Sequence, residues 1–90
     1  MTLRVRIEGR VQGVGFRAFV ASLAVEHEVN GEVWNTRDGA VEAILQSDDD
    51  AVLDRLIQRL HHGPGRVDRV TSSPLSEFET LDNFQISHTR

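Results

Sequence analysis

The sequence predicts an α+β sandwich, with two helices on one face of an antiparallel sheet and the order β-α-β-β-α-β. Three observations carry this. Residues 3–8 alternate apolar and charged, the period of a half-buried strand. Two later stretches repeat apolar residues at helical spacing, the first from Phe16 and the second from Val52. Between them Asp38-Gly39 separates two short strand-like runs, a strong hairpin signal.

Each element follows in order. Leu3, Val5 and Ile7 share one face of the first strand, and Arg4, Arg6 and Glu8 the other. Phe16, Phe19, Val20, Leu23 and Ala24 then recur at i, i+3, i+4, i+7 and i+8. They predict a helix to about His27, with Asn30-Gly31 as its exit. Glu32-Val33-Trp34 is a short strand, residues 35–39 a turn, and residues 41–46 the return strand. Ile44 makes that strand apolar on both faces, which suits a central position. Ser47 caps the second helix, whose opening aspartates sit where the helix dipole favours negative charge. Val52, Leu53, Leu56, Ile57 and Leu60 form its buried stripe, and Gly63-Pro64 stops it. A fourth strand spans about 66–73 until Pro74 breaks it, and Phe84-Gln85-Ile86 is a short last strand. Two strand-helix-strand halves in this order make the ferredoxin-like (split βαβ) plan. Residues 1–90 are expected to form a single domain, since no linker, repeat or low-complexity segment interrupts them.

Composition excludes several chemistries. With 90 residues the core is small, because a chain this short buries only roughly 60% of its unfolded surface. The absence of cysteine removes disulfides, thiolate zinc sites and a thiol nucleophile. All ten basic residues other than histidine are arginine, so a Walker A lysine and Schiff-base chemistry are also excluded. A net charge of −4 argues against a nucleic-acid partner. The first ten residues lack an apolar signal-peptide region, and the apolar stretch at 18–25 is too short to span a bilayer, so a cytoplasmic location without a membrane partner is expected.

The loop between the first strand and the first helix holds Gly9, Gly13 and Gly15. Such a loop lets consecutive main-chain N–H groups converge, and the first N–H groups of the helix join them in attracting an anion. On glycine spacing alone a tight connection without a ligand explains the loop better. Arg17 brings the two readings level. It lies in the first helical turn, where a cation opposes the dipole by a few tenths to about 1 kcal/mol. A carboxylate partner would compensate, and so would an oxyanion shared between the guanidinium and the loop amides.

Here the chain resembles a known family. Gly9-Arg10-Val11-Gln12-Gly13-Val14-Gly15-Phe16-Arg17 is similar to the N-terminal signature of the acylphosphatases, small ferredoxin-like hydrolases of carboxylic–phosphoric mixed anhydrides. Val33, Asn35, Asp38-Gly39 and Val41-Glu42 resemble the family's second motif, and Gly63-Pro64, Val67, Val70 and Phe84-Gln85-Ile86 match its later landmarks. The resemblance implies that Arg17 binds the substrate phosphate and Asn35 positions the attacking water. It implies a phosphate cradle from the backbone amides of Gln12, Gly13, Val14, Gly15, Phe16 and Arg17. Members commonly carry an aromatic after the glycine and a basic or polar residue just before the asparagine. Gly31-Glu32-Val33-Trp34-Asn35 exchanges those characters within one strand face, leaving the register of Asn35 unchanged. Trp34 is therefore expected to pack structurally.

The implied activity is cleavage of an acyl phosphate to carboxylate and inorganic phosphate by a monomer, without metal or cofactor. The chemistry suits these residues. Carboxylate is a good leaving group, so the task is to orient water and stabilise phosphoryl charge. The alternative is a non-catalytic ferredoxin-like module that keeps the anion pocket. A relative of the acylphosphatase-like domain of hydrogenase-maturation carbamoyl-transferases is disfavoured by length, and an RNA-recognition sheet by charge and few aromatics. The adjacent His61-His62 diverge on a helix and do not make a metal site.

Overall fold

The computed structural model describes residues 1–90. The elements are β1 (Thr2–Arg10), α1 (Phe16–Glu26), β2 (Asn30–Asn35), β3 (Val41–Gln46), α2 (Asp50–Leu60), β4 (Arg66–Leu75) and β5 (Phe84–Ile86). All five strands join one sheet in the order β4-β1-β3-β2-β5. The first four pair antiparallel, as the split-βαβ plan requires. β5 adds a fifth strand parallel to β2, so the complete sheet is mixed.

The core lies between the sheet and the helices. Leu3, Val5 and Ile7 of β1, Val33 of β2, and Val41, Ala43 and Leu45 of β3 supply the sheet side. Phe16, Val20, Leu23 and Ala24 of α1 meet them, with Leu53, Leu56 and Leu60 of α2. Full burial of each large side chain stabilises the fold by about 1.5–3 kcal/mol before entropy is counted. The opposite face is polar but not bare. Arg4 and Arg6 both bond Glu42, at 2.9 and 3.1 Å, while Trp34 and Ile44 are nearly fully buried between such groups. Ile44 thus has the two-sided burial of a central strand, and β3 sits mid-sheet.

Local details differ from the sequence reading for physical reasons. The first helix leaves through Glu28, a non-glycine residue in the left-handed region at φ 57°, with the Val29 amide donating to the Ala24 carbonyl at 2.8 Å. Asn30 and Gly31 are already strand. The cap of α2 is Asp49, whose carboxylate accepts from the Ala51 amide at 3.0 Å. Ser47 acts one step earlier, its hydroxyl accepting from the Asp49 amide at 3.1 Å. β4 runs through Pro74 to Leu75 because it is an edge strand, where a missing donor is tolerated. We expect Asp49→Ala to lower unfolding free energy by about 1 kcal/mol in urea titration, and Ser47→Ala by clearly less. The reverse ranking would restore Ser47 as the cap.

The link from β4 to β5 must cross the ends of β1, β3 and β2. Gln46 fastens it there, donating to the Glu79 carbonyl at 2.8 Å and accepting from the Leu81 amide at 2.7 Å. Asn30 adds a bond to the Leu81 carbonyl at 2.8 Å. This crossing delivers β5 and residues 87–90 alongside β2, where they reach the functional end of the sheet.

Candidate active site

The site forms where β1 ends, α1 begins and the β2–β3 hairpin turns. A register shift at Glu8/Gly9 interrupts the pairing of β1 with β4, which resumes opposite Val67 and Arg66 before the strand ends at Arg10 and the chain turns toward α1. Gly13 and Gly15 both adopt positive φ, 75° and 84°. Gly15 is the N-cap of α1, and no side chain caps that helix. The main-chain N–H groups of residues 12–15 have no acceptor within the chain. The first N–H groups of a helix have no intrahelical acceptor either. No acidic residue occupies the first turn of α1 to offset its positive end. The loop therefore presents a run of free donors, and the space beside the α-carbons of Gly13 and Gly15 is open.

Arg17 and Asn35 line one cavity of about 220 Å³ with Val11, Gly13, Gly15, Phe16, Ala18 and Ile86. Arg17, Asn35 and the glycine loop thus border one cavity, although β2 and α1 bring them from different layers. Asn35 ends β2 opposite Val41, on the same strand face as the core residue Val33. Arg17 has no carboxylate partner. Its Nη1 donates at 3.0 Å to the Ser87 carbonyl, a neutral acceptor, which leaves the rest of the guanidinium uncommitted.

Two groups absent from the sequence reading brace this geometry. Gln12 enters it only through its backbone amide, yet its side chain donates to the carbonyls of Thr36 at 2.7 Å and Ala40 at 2.8 Å. Both partners are acceptors, so the amide nitrogen must face them. This clip ties the glycine loop to the hairpin that carries Asn35. Thr36 closes the hairpin from inside, its hydroxyl accepting from the Ala40 amide at 3.0 Å and bonding Asp38. That Thr36 bond, and after it Arg6 at 2.7 Å, hold the Asp38 carboxyl below the usual carboxylate range. Gln12 gives no sequence signal for this role, since nothing local relates residue 12 to residues 36 and 40. Ser87 lies past the last predicted strand and is equally silent.

A larger cavity of about 560 Å³ opens at the opposite end of the sheet, among Met1, His27, Glu28, Asp48, Asp49 and Phe78. Its charged lining is mainly acidic and includes no arginine or glycine-loop donors. The chemistry of an oxyanion site favours the smaller cavity. His61 and His62 are exposed beyond α2, and no third metal-ligating side chain joins them.

Comparison with known proteins agrees in family and fold. Residues 3–86 match the family model described as Acylphosphatase. The chain is 45% identical over 75 residues to the acylphosphatase of Nitrobacter hamburgensis, covering 81% of this chain and 75% of that one. The crystal structure of acylphosphatase from Bacillus subtilis superposes with a TM-score of 0.91 at 30% identity, over 96% of this chain and 97% of that one. Full-length HypF in its phosphate- and nucleotide-bound form shares the fold over 98% of this chain but only 12% of its own, with a TM-score of 0.82 and 24% identity.

Proposed function

The chain belongs to the acylphosphatase family and is an acyl-phosphate hydrolase, and from that premise we propose that Arg17 and the amides of residues 12–17 grip the phosphoryl group while Asn35 directs water onto phosphorus. One observation supports this reading: Arg17 and Asn35 line one cavity together with the two left-handed glycines of an uncapped helix start. The donors stand in place before substrate arrives, so little reorganisation is needed as charge builds on the phosphoryl oxygens. The Arg17 fork matches two of those oxygens.

Hydrolysis then needs one displacement. Water forms a bond to phosphorus as the bond from phosphorus to the carboxyl oxygen breaks, and the electron pair leaves with the carboxylate. Asn35 accepts a hydrogen bond from the water and so fixes its line of approach. Neither Asn35 nor Arg17 acts as a base near neutrality. The water proton passes to a phosphoryl oxygen, which becomes part of the inorganic phosphate released. No metal takes part in this scheme.

The direct test is hydrolysis of benzoyl phosphate by the purified protein in excess chelator. Turnover is expected to persist. Asn35→Ala is expected to lower kcat by about 10²-fold with a smaller change in KM, since water positioning matters most in the transition state. Normal kcat in that variant would remove Asn35 from the mechanism. Phosphate binding without turnover in the wild type would favour a binding module instead. A pH–rate profile that needs an enzyme group titrating near neutrality would overturn the proton route.

A further inference from the structure

Residues 87–90 run beside β2 and touch both proposed site residues. The Ser87 carbonyl accepts from Arg17 at 3.0 Å, and the Arg90 amide donates to the Asn35 carbonyl at 2.9 Å. β5, which leads into this segment, is only three residues long and pairs with a single neighbour, β2. So short an edge strand gives the Ser87 carbonyl little rigidity of its own. Something must pin it.

Glu32 does. Its Oε2 accepts from the Ser87 hydroxyl at 2.7 Å and from Arg90 Nη2 at 2.6 Å. The Ser87 amide also donates to the Val33 carbonyl at 2.8 Å. Arg90 in turn lies over the Trp34 ring, 4.3 Å from its centroid, so the ion pair is half-covered. The Ser87 hydroxyl foremost, and also Arg90, hold the Glu32 carboxyl below the usual carboxylate range against the opposing effect of burial. Glu32 and Trp34 are the two positions at which the chain departs from the motif it otherwise resembles. Here they act together on the same segment.

We propose that Glu32 is a positioning residue for Arg17: by gripping the Ser87 hydroxyl and Arg90 it fixes the Ser87 carbonyl that aims the guanidinium into the cavity. The division of labour is electrostatically sensible. A carboxylate bonded directly to Arg17 would compete with the phosphoryl group for its charge. Placed one residue away, Glu32 orders the arginine through a neutral carbonyl and leaves its positive charge for substrate. The proposal rests on the phosphate-binding reading of Arg17.

The test uses Glu32→Ala and Ser87→Ala, with benzoyl phosphate kinetics and relaxation of the Arg17 Nε–Hε group by 15N NMR. Both variants are expected to raise KM about tenfold, the loss of roughly one charge-assisted hydrogen bond, with a smaller fall in kcat. Both should also lower the Arg17 Nε order parameter, which a merely structural role would not move. Ser87→Ala keeps the backbone and guards against a folding defect in the other variant. Wild-type KM in either folded variant, or a raised KM with Arg17 still rigid, overturns the proposal. Wild-type KM in Arg17→Ala would instead overturn the phosphate-binding reading and with it the functional half of the proposal. The order parameter then separates the two failures.

Discussion

Arg17→Ala is expected to lower kcat/KM for benzoyl phosphate by about 10³-fold while leaving the protein at least as stable as before. The activity loss combines removal of a full positive charge with removal of two donors to the phosphoryl oxygens, and one such donor alone contributes about 10²–10³ in rate. The stability forecast has the opposite sign for a simple reason. Arg17 sits in the first turn of α1, facing the positive end of the helix dipole, and its side chain bonds only the Ser87 carbonyl. Alanine removes the unfavourable charge and is a better helix former. Arg17→Lys keeps the charge without the planar fork and should fall between the two. Activity within tenfold of wild type in the alanine variant, or a cooperative loss of structure, would contradict this assignment.

The second large effect is on folding. Gly31 lies in β2 between β3 and β5, paired with Leu45 and Phe84. A Cβ there would stand 1.8 Å from the Ile44 carbonyl oxygen, which is backbone and cannot swing aside. The residue also holds φ at 153°, a conformation side chains avoid. We expect Gly31→Ala to cost roughly 3 kcal/mol or more, the upper range for single substitutions. In a domain of this size that lowers Tm by more than about 10 °C, measurable by thermal circular dichroism. A change of under about 3 °C would mean that β2 and β3 separate here at little cost. Glycine therefore serves this strand by what it lacks, not as the helix exit that its neighbour Asn30 suggested.

These two residues illustrate what could be read in the sequence. Arg17 announces itself, because a cation in a first helical turn beside a glycine-rich loop lacks a local explanation. The elements are legible for the same reason, since apolar periods of two and 3.6 are short-range signals. Gly31 misleads, because Asn-Gly is also a common turn and only its cross-strand neighbour reveals its role. The Gln12 clip and the Ser87 anchor depend on where atoms from distant segments arrive, whereas Asp49 displaces Ser47 locally, because two capping side chains stand two residues apart and the helix starts after the second. Pro74 has the local pattern of a strand stop, yet β4 passes through it because β4 has no partner strand on one side. Local pattern fixes which segments form. The contacts that aim functional side chains are set by the crossing of the chain over the sheet end.

β4 carries one further consequence. Ten residues long and flanked by a partner only at β1, it exposes a full row of backbone groups to any other extended chain. Arg66, Asp68 and Arg69 put charge along that rim, and Pro74 interrupts its donors near the far end. An incoming strand would have to strip water from those charges and would find a gap in the ladder. The same proline that the fold tolerates thus makes this edge a poorer template for strand addition.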